Sequence, residues 1–148
     1  AKAGSVNRDL VSHLDLAETF LQAADVAIPE RMQGRSLMPL LQGATPADWR
    51  SAFYYHYYEY PGEHRVRPHY GIITDRYTLA HFYTPDVDYW ELFDREKDPR
   101  EMRNVFGEAA YAEAQRDLMQ EVVRQRINLK EPDDDDPKAY GTPLRKEF

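Results

Sequence analysis

The 148-residue sequence contains no cysteine, which excludes disulfides and thiolate zinc sites in any compartment. It has no run approaching the roughly 18 to 20 apolar residues that a membrane-spanning helix requires. Ala1-Lys2-Ala3-Gly4-Ser5 lacks the apolar core of a signal peptide, although a longer polypeptide would carry its leader upstream, so the compartment stays open. Positive charge is also scarce, the formal net charge being -7. A general polyanion binder gains affinity by releasing counterions from a basic surface, so nucleic acid is not an expected partner. What is abundant is apolar and aromatic matter, 42% and 13% of the chain. That favours a folded domain with one compact core and a small annex over disorder.

Along the chain, Asn7 or Asp9 is placed to cap a helix through Leu10, Leu14, Ala17, Leu21 and Ala24, whose spacing predicts one apolar face. Residues 30 to 51 hold Gly34, Pro39, Gly43 and Pro46 and read as loop, broken by a helical turn at Ser36 to Leu41. From Phe53 the period changes. Phe53–Tyr58, Tyr70–Thr74, Arg76–Tyr83 and Tyr89–Asp94 are four β-rich segments. Glu108–Ile127 repeats Tyr111, Ala114, Leu118 and Val122 at helical spacing, with Leu118 and Val122 central. The expected fold is α+β: a small four-stranded antiparallel sheet packed against one long helix, with a separate N-terminal helix. Phe53 and Trp90 are candidate core residues. Three segments follow: 1–50, an α+β unit over 51–130, and an extended tail over 131–148 that carries Pro132, Pro137 and Pro143 around the run Asp133–Asp136. That acidic run lacks the glycine and terminal glutamate of a calcium-binding EF-hand loop.

Against the acidic whole, one short loop stands out: His64-Arg65-Val66-Arg67-Pro68-His69 has two arginines and two histidines and no acid. Planar guanidinium groups at Arg65 and Arg67 suit sulfate or carboxylate; solvated loop arginines are the plainer reading. His64 carries the same two readings. His69 begins a predicted strand, where its imidazole would either contact a ligand or bond a backbone carbonyl. Tyr57, Tyr58, Glu59 and Tyr60 offer an aromatic platform, of which strand alternation lets at most two residues face a ligand. His56, His64, His69 and His81 show no i,i+4 or His-x-His spacing, so no metal site is expected. Glu59, Asp94 and Glu101 read as turn and surface carboxylates, and no residue reads as catalytic.

Three stretches in order resemble the C-terminal region of formylglycine-dependent sulfatases of the arylsulfatase type. Val11-Ser12-His13-Leu14-Asp15-Leu16-Ala17-Glu18-Thr19-Phe20 is similar to that family's V-x-x-x-D-x-x-P-T-x helix, with Glu18 in place of the usual proline. Met32-Gln33-Gly34-Arg35-Ser36-Leu37-Met38-Pro39-Leu40-Leu41 is similar to its G-x-S-L-x-P-L-L stretch. Glu91-Leu92-Phe93-Asp94, then Asp98-Pro99, Glu101 and Asn104, resemble the ending E-L-Y-D-x-x-x-D-P-x-E-x-x-N.

The resemblance implies an enzyme of the alkaline-phosphatase-like superfamily that cleaves a sulfate ester with formylglycine and Ca2+. Neither is expected in this chain: it has no Cys/Ser-x-Pro-x-Arg motif and no stretch like the family's calcium-binding pairs. Residues 1–50 would be a severed helix and loop of the larger α/β catalytic domain, and that missing domain would be a partner. His69, which resembles the histidine of the family's H-Y-G-I segment, together with Arg67, His64 and Arg65, would bind a sulfated small molecule or glycan. The same resemblance implies a periplasmic or secreted protein. An N-terminal helix without its domain would expose its apolar face and favour self-association. Two other readings stay open: a stand-alone carbohydrate-binding or protein-interaction module, and part of a related phosphohydrolase.

Overall fold

The computed structural model describes residues 1–60, 65–84 and 86–131. It divides into two compact units, Ala1–Ser51 and Ala52–Phe148. No described helix is long and apolar enough to cross a membrane.

The first unit is organised by polar side chains. Helix α1 spans Leu14–Ala23. It starts where Ser12 Oγ accepts the Leu14 N–H at 3.2 Å and the Asp15 carboxylate accepts the Ser12 N–H at 2.7 Å, the reciprocal arrangement of a capping box. The face of α1 that is buried is the polar one. Asp15, Glu18 and Thr19 are buried, whereas Leu14, Leu16 and Phe20 are 51%, 43% and 68% exposed. The reason lies in the chain that returns past the helix, whose N–H groups need acceptors. Glu18 Oε1 takes the Gly34 N–H at 2.6 Å, Asp15 Oδ1 that of Arg35 at 2.8 Å, and Thr19 Oγ1 that of Leu37 at 2.8 Å. Only glycine fits at position 34, since a Cβ there would lie 2.4 Å from the Leu14 carbonyl oxygen and 2.5 Å from Glu18. Ser36 Oγ accepts the Met38 N–H at 3.2 Å and opens the short helix α2, Met38–Leu41, which buries Leu40. Both N-terminal motifs are thus one hydrogen-bonded device.

The second unit is a meander of four antiparallel strands in the order β1 (Ala52–Tyr57), β2 (His69–Thr74), β3 (Tyr77–Thr84) and β4 (Val87–Asp94). A 3-10 turn at Ala109–Tyr111 leads into α3, Ala112–Leu129, which packs across β1, β2 and β3. The α+β expectation holds. Alternation puts Ala52, Tyr54, Tyr70, Ile72, Leu79 and Leu92 on the helix side, where Leu118, Val122 and Val105 complete the core. Trp90 packs partly buried against it. Phe53 does not: it points to the opposite face and is only half-buried, because Ala52 and Tyr54 hold the inward positions. A one-residue difference in phase reverses a strand's faces.

The C-terminal motif holds β4 to the chain that follows. Asp94 is buried, not on the surface as expected, and its carboxylate takes two bonds from Arg76 at 3.1 and 2.8 Å. Asp98 Oδ2 accepts the N–H groups of Met102 and Arg103. Glu101, exposed and with φ of 54°, accepts the Thr78 hydroxyl at 2.6 Å. Asn104 satisfies both ends of its amide, accepting from Leu92 and Phe106 and donating to Trp90 O and the Tyr89 hydroxyl. Glu131, expected in the tail, instead bonds His56 and the Tyr58 hydroxyl. The rest of the tail expectation falls on residues 132–148, outside the described residues.

Candidate functional site

The face of the sheet turned away from α3 carries a row of rings in strict register, one per strand: Tyr57 opposite His69, His69 opposite Phe82, Phe82 opposite Tyr89. The His69 imidazole lies between Tyr57 and Phe82, stacked at centroid distances of 5.5 and 4.8 Å, with the Tyr55 ring edge-on at 5.6 Å. Stacked and edge contacts of this kind fix a ring plane. Its Nδ1 lies 2.9 Å from the Arg67 carbonyl oxygen. The backbone reading of this histidine therefore holds for Nδ1, and Nε2 makes no hydrogen bond among the described residues.

Arg67 lies beside it but is already engaged. Its guanidinium pairs with Asp86 at 2.7 Å and sits over the Tyr60 ring at 4.5 Å. Arg65 is exposed two residues earlier. The expectation for His64 lies outside the described residues. So the structure brings His69 and Arg67 together.

Next to this row the sheet carries two small residues, both buried. Gly71 and Ala80 occupy the neighbouring positions between Tyr55 and Glu91. The Tyr55 ring fills the space over Gly71, where a Cβ would come within 2.9 Å of it and 2.2 Å of the Leu79 carbonyl oxygen. Burial, with the nearby charges of Glu101 and Glu91, pushes the Tyr55 phenol up to about 12. The Glu91 carboxyl is likewise raised by burial; His69 opposes that shift and Glu101 adds to it. The site is thus an aromatic shelf with one imidazole edge and a weakly solvated carboxyl beside it, suited to the face and hydroxyls of a sugar.

Sequence reasoning missed Phe82, Tyr89, Asp86 and Glu91. Strand pairing is the signal that would have found the ring row, since all four rings share one register position. The two remaining described sheet histidines belong to the opposite face. His56 bonds the Tyr83 hydroxyl at 2.6 Å and Glu131, and His81 bonds the Tyr70 hydroxyl and Asp88, each at 2.8 Å. Of the tyrosine platform, Tyr57 joins the row, whereas Tyr58 stacks on His56 at 3.9 Å. Among the described residues no group of three His, Asp or Glu side chains could hold a metal ion.

Comparison with known proteins gives the family of the chain. The sequence pattern of the N-sulphoglucosamine sulphohydrolase C-terminal family matches residues 1–128. The chain is 50% identical over 137 residues to an N-acetylglucosamine-6-O-sulfatase of Bacteroides thetaiotaomicron, covering 91% of the chain and 24% of that protein. A solved enzyme in complex with its substrate D-glucosamine-2-N,6-O-disulfate superposes with a TM-score of 0.78 at 51% identity, over 83% of this chain and 25% of its own. A phosphonate monoester hydrolase from Silicibacter pomeroyi matches at 26% identity with a TM-score of 0.71, over 86% and 27% of the two chains. The chain spans about a quarter of the length of these relatives. From its motifs, its sheet and helix, and these matches, the chain belongs to the N-sulphoglucosamine sulphohydrolase C-terminal family, within the sulfatases of the alkaline-phosphatase-like superfamily.

Proposed function

We propose that this chain is the C-terminal part of a sulfuric ester hydrolase acting on sulfated sugars, and that its ring row completes the substrate pocket. The observation that carries this is His69, whose ring is held by Tyr57, Phe82 and the Arg67 carbonyl while its second nitrogen bonds no described residue. A side chain held this firmly, with one polar atom to spare, suits a ligand contact. Formylglycine and Ca2+, the family's nucleophile and Lewis acid, would belong to a catalytic domain outside this chain. Here the chain's task is to orient the sugar: Tyr57 and Phe82 hold the imidazole between them and offer apolar ring edges, and His69 offers a hydrogen bond. Arg65 and His64 are proposed as outer contacts to the anionic group; Arg67, paired with Asp86, is proposed to act beside His69.

The likeness to a 6-O-sulfatase and to an enzyme solved with a sulfated glucosamine supports a sulfated amino sugar as substrate. Periplasmic or secreted placement is proposed on the same kinship. In isolation, the exposed Leu14, Leu16 and Phe20 of α1 are proposed to drive self-association.

The test uses the longer sulfatase polypeptide and this chain in parallel. Sulfate release from 6-O-sulfated N-acetylglucosamine should exceed cleavage of a phosphonate monoester by the longer polypeptide, and the chain alone should release none. Faster cleavage of the phosphonate would favour the phosphohydrolase reading. Tight binding of the sugar by the chain alone would favour a free-standing binding module.

A further inference from the structure

The contact between His69 and the Arg67 carbonyl decides which atom of the imidazole faces the ligand. A carbonyl oxygen only accepts, so Nδ1, 2.9 Å away, must carry a proton. In the neutral ring Nε2 is then a bare acceptor, the reverse of the tautomer that free imidazole side chains favour. Glu91 acts on the ring only through space, with no hydrogen bond between them. The carbonyl itself is doubly held. Arg67 precedes Pro68, which confines its backbone to an extended conformation. Its side chain is tied to Asp86, in the turn between β3 and β4, and to the Tyr60 ring.

Resting on the reading of His69 as a substrate contact, we propose that Arg67 and Asp86 are positioning residues that hold His69 in its Nδ1–H form, so that Nε2 accepts a hydrogen bond from a sugar hydroxyl rather than touching the sulfate. Sulfate ester oxygens carry no hydrogen and have nothing to give a bare nitrogen; hydroxyls do. His69 then reads the sugar ring, and Arg67 pairs with this protein's own aspartate.

The experiment labels histidine with 15N in the longer sulfatase polypeptide and uses His69→Gln to assign the His69 signals. Long-range proton–nitrogen spectra should show a protonated Nδ1 and an unprotonated Nε2 in the neutral ring. Asp86→Ala should shift that ratio toward the Nε2–H form and raise KM for a sulfated glucosamine roughly twofold to fivefold, the scale of one exposed ion pair. Asp86→Glu should restore both. Among 3-deoxy and 4-deoxy analogues of the substrate, one should lose about as much kcat/KM as His69→Ala does, with no further loss when the two changes are combined. A wild-type His69 protonated on Nε2, or an Asp86→Ala protein with unchanged tautomer and KM, overturns the inference. If instead His69→Ala leaves kcat/KM unchanged, the substrate-contact reading fails, and the nitrogen spectra still judge the tautomer on their own.

Discussion

Residues 1–51 and residues 52–131 hold their shapes by opposite means. In the first unit the buried positions of the main helix are Asp15, Glu18 and Thr19, each bonded to a backbone N–H, and the apolar Leu14, Leu16 and Phe20 are exposed. In the second, Ile72, Leu79 and Leu92 are fully buried in an apolar core, and polar side chains serve the turns. The first unit spends its carboxylates on ordering its own loop and leaves its apolar surface for something else. The second is self-sufficient, and it is the one that carries a shelf of rings on its open face.

Breaking the polar device should have the largest effect. Asp15 is fully buried and receives two bonds from Arg50, at 2.5 and 2.6 Å, besides the N–H groups of Ser12 and Arg35. Asp15→Ala strands that arginine, and removing one partner of a buried pair costs about 3 to 5 kcal/mol. Denaturant unfolding of the first unit, followed by Trp49 fluorescence, reads it. The apolar counterpart in the second unit is Leu79→Ala, expected to cost about 2 to 5 kcal/mol for a buried leucine. Phe53→Ala should cost distinctly less, since that ring is half-buried on the other face.

Acid sharpens the comparison further. Hydrogen bonds from Arg76 hold the Asp94 carboxyl at about 2, below its ordinary value. A depressed carboxyl contributes stability that is fully present above about pH 4 and is lost as pH falls through about 2. Burial alone would raise the Asp15 carboxyl, but the bonds from Arg50 and from the Arg35 and Ser12 N–H groups outweigh it and lower it. The second unit should therefore lose Tm between about pH 4 and pH 2 and the first as pH falls below about 4, and Asp94→Asn should flatten the second unit's loss alone. The smallest effect belongs to α1's outer surface: Phe20→Ser in the isolated chain should change stability by no more than about 0.5 kcal/mol while reducing self-association in sedimentation. A larger destabilisation would mean that Phe20 is packed.

Much of this was legible in the sequence because the second unit obeys simple periods. Four β-rich segments and the Leu118 and Val122 spacing predict the sheet and its covering helix, with strand ends within two residues. Local rules failed where long-range bonding decided the outcome. The α1 spacing gave an apolar face but no sign that the opposite, polar face is the buried one; that follows only from the acceptor needs of Gly34, Arg35 and Leu37, 16 to 20 residues away. The phase of β1 was off by one, which exchanged Phe53 for Tyr54. At the site, His69 was visible as a strand-end imidazole. Its ring partners come from two other strands, and the Asp86 pairing joins residues 19 apart, so neither was readable in a linear scan.

The central claim is that the open face of the second unit serves the substrate while its helix side serves stability, and His69→Ala separates the two. In the longer sulfatase polypeptide, kcat/KM on a sulfated glucosamine should fall roughly tenfold to a hundredfold, the loss of a hydrogen bond of about 1.5 to 3 kcal/mol, with Tm nearly unchanged. An unchanged kcat/KM together with a clear drop in Tm would show that the histidine merely packs the sheet.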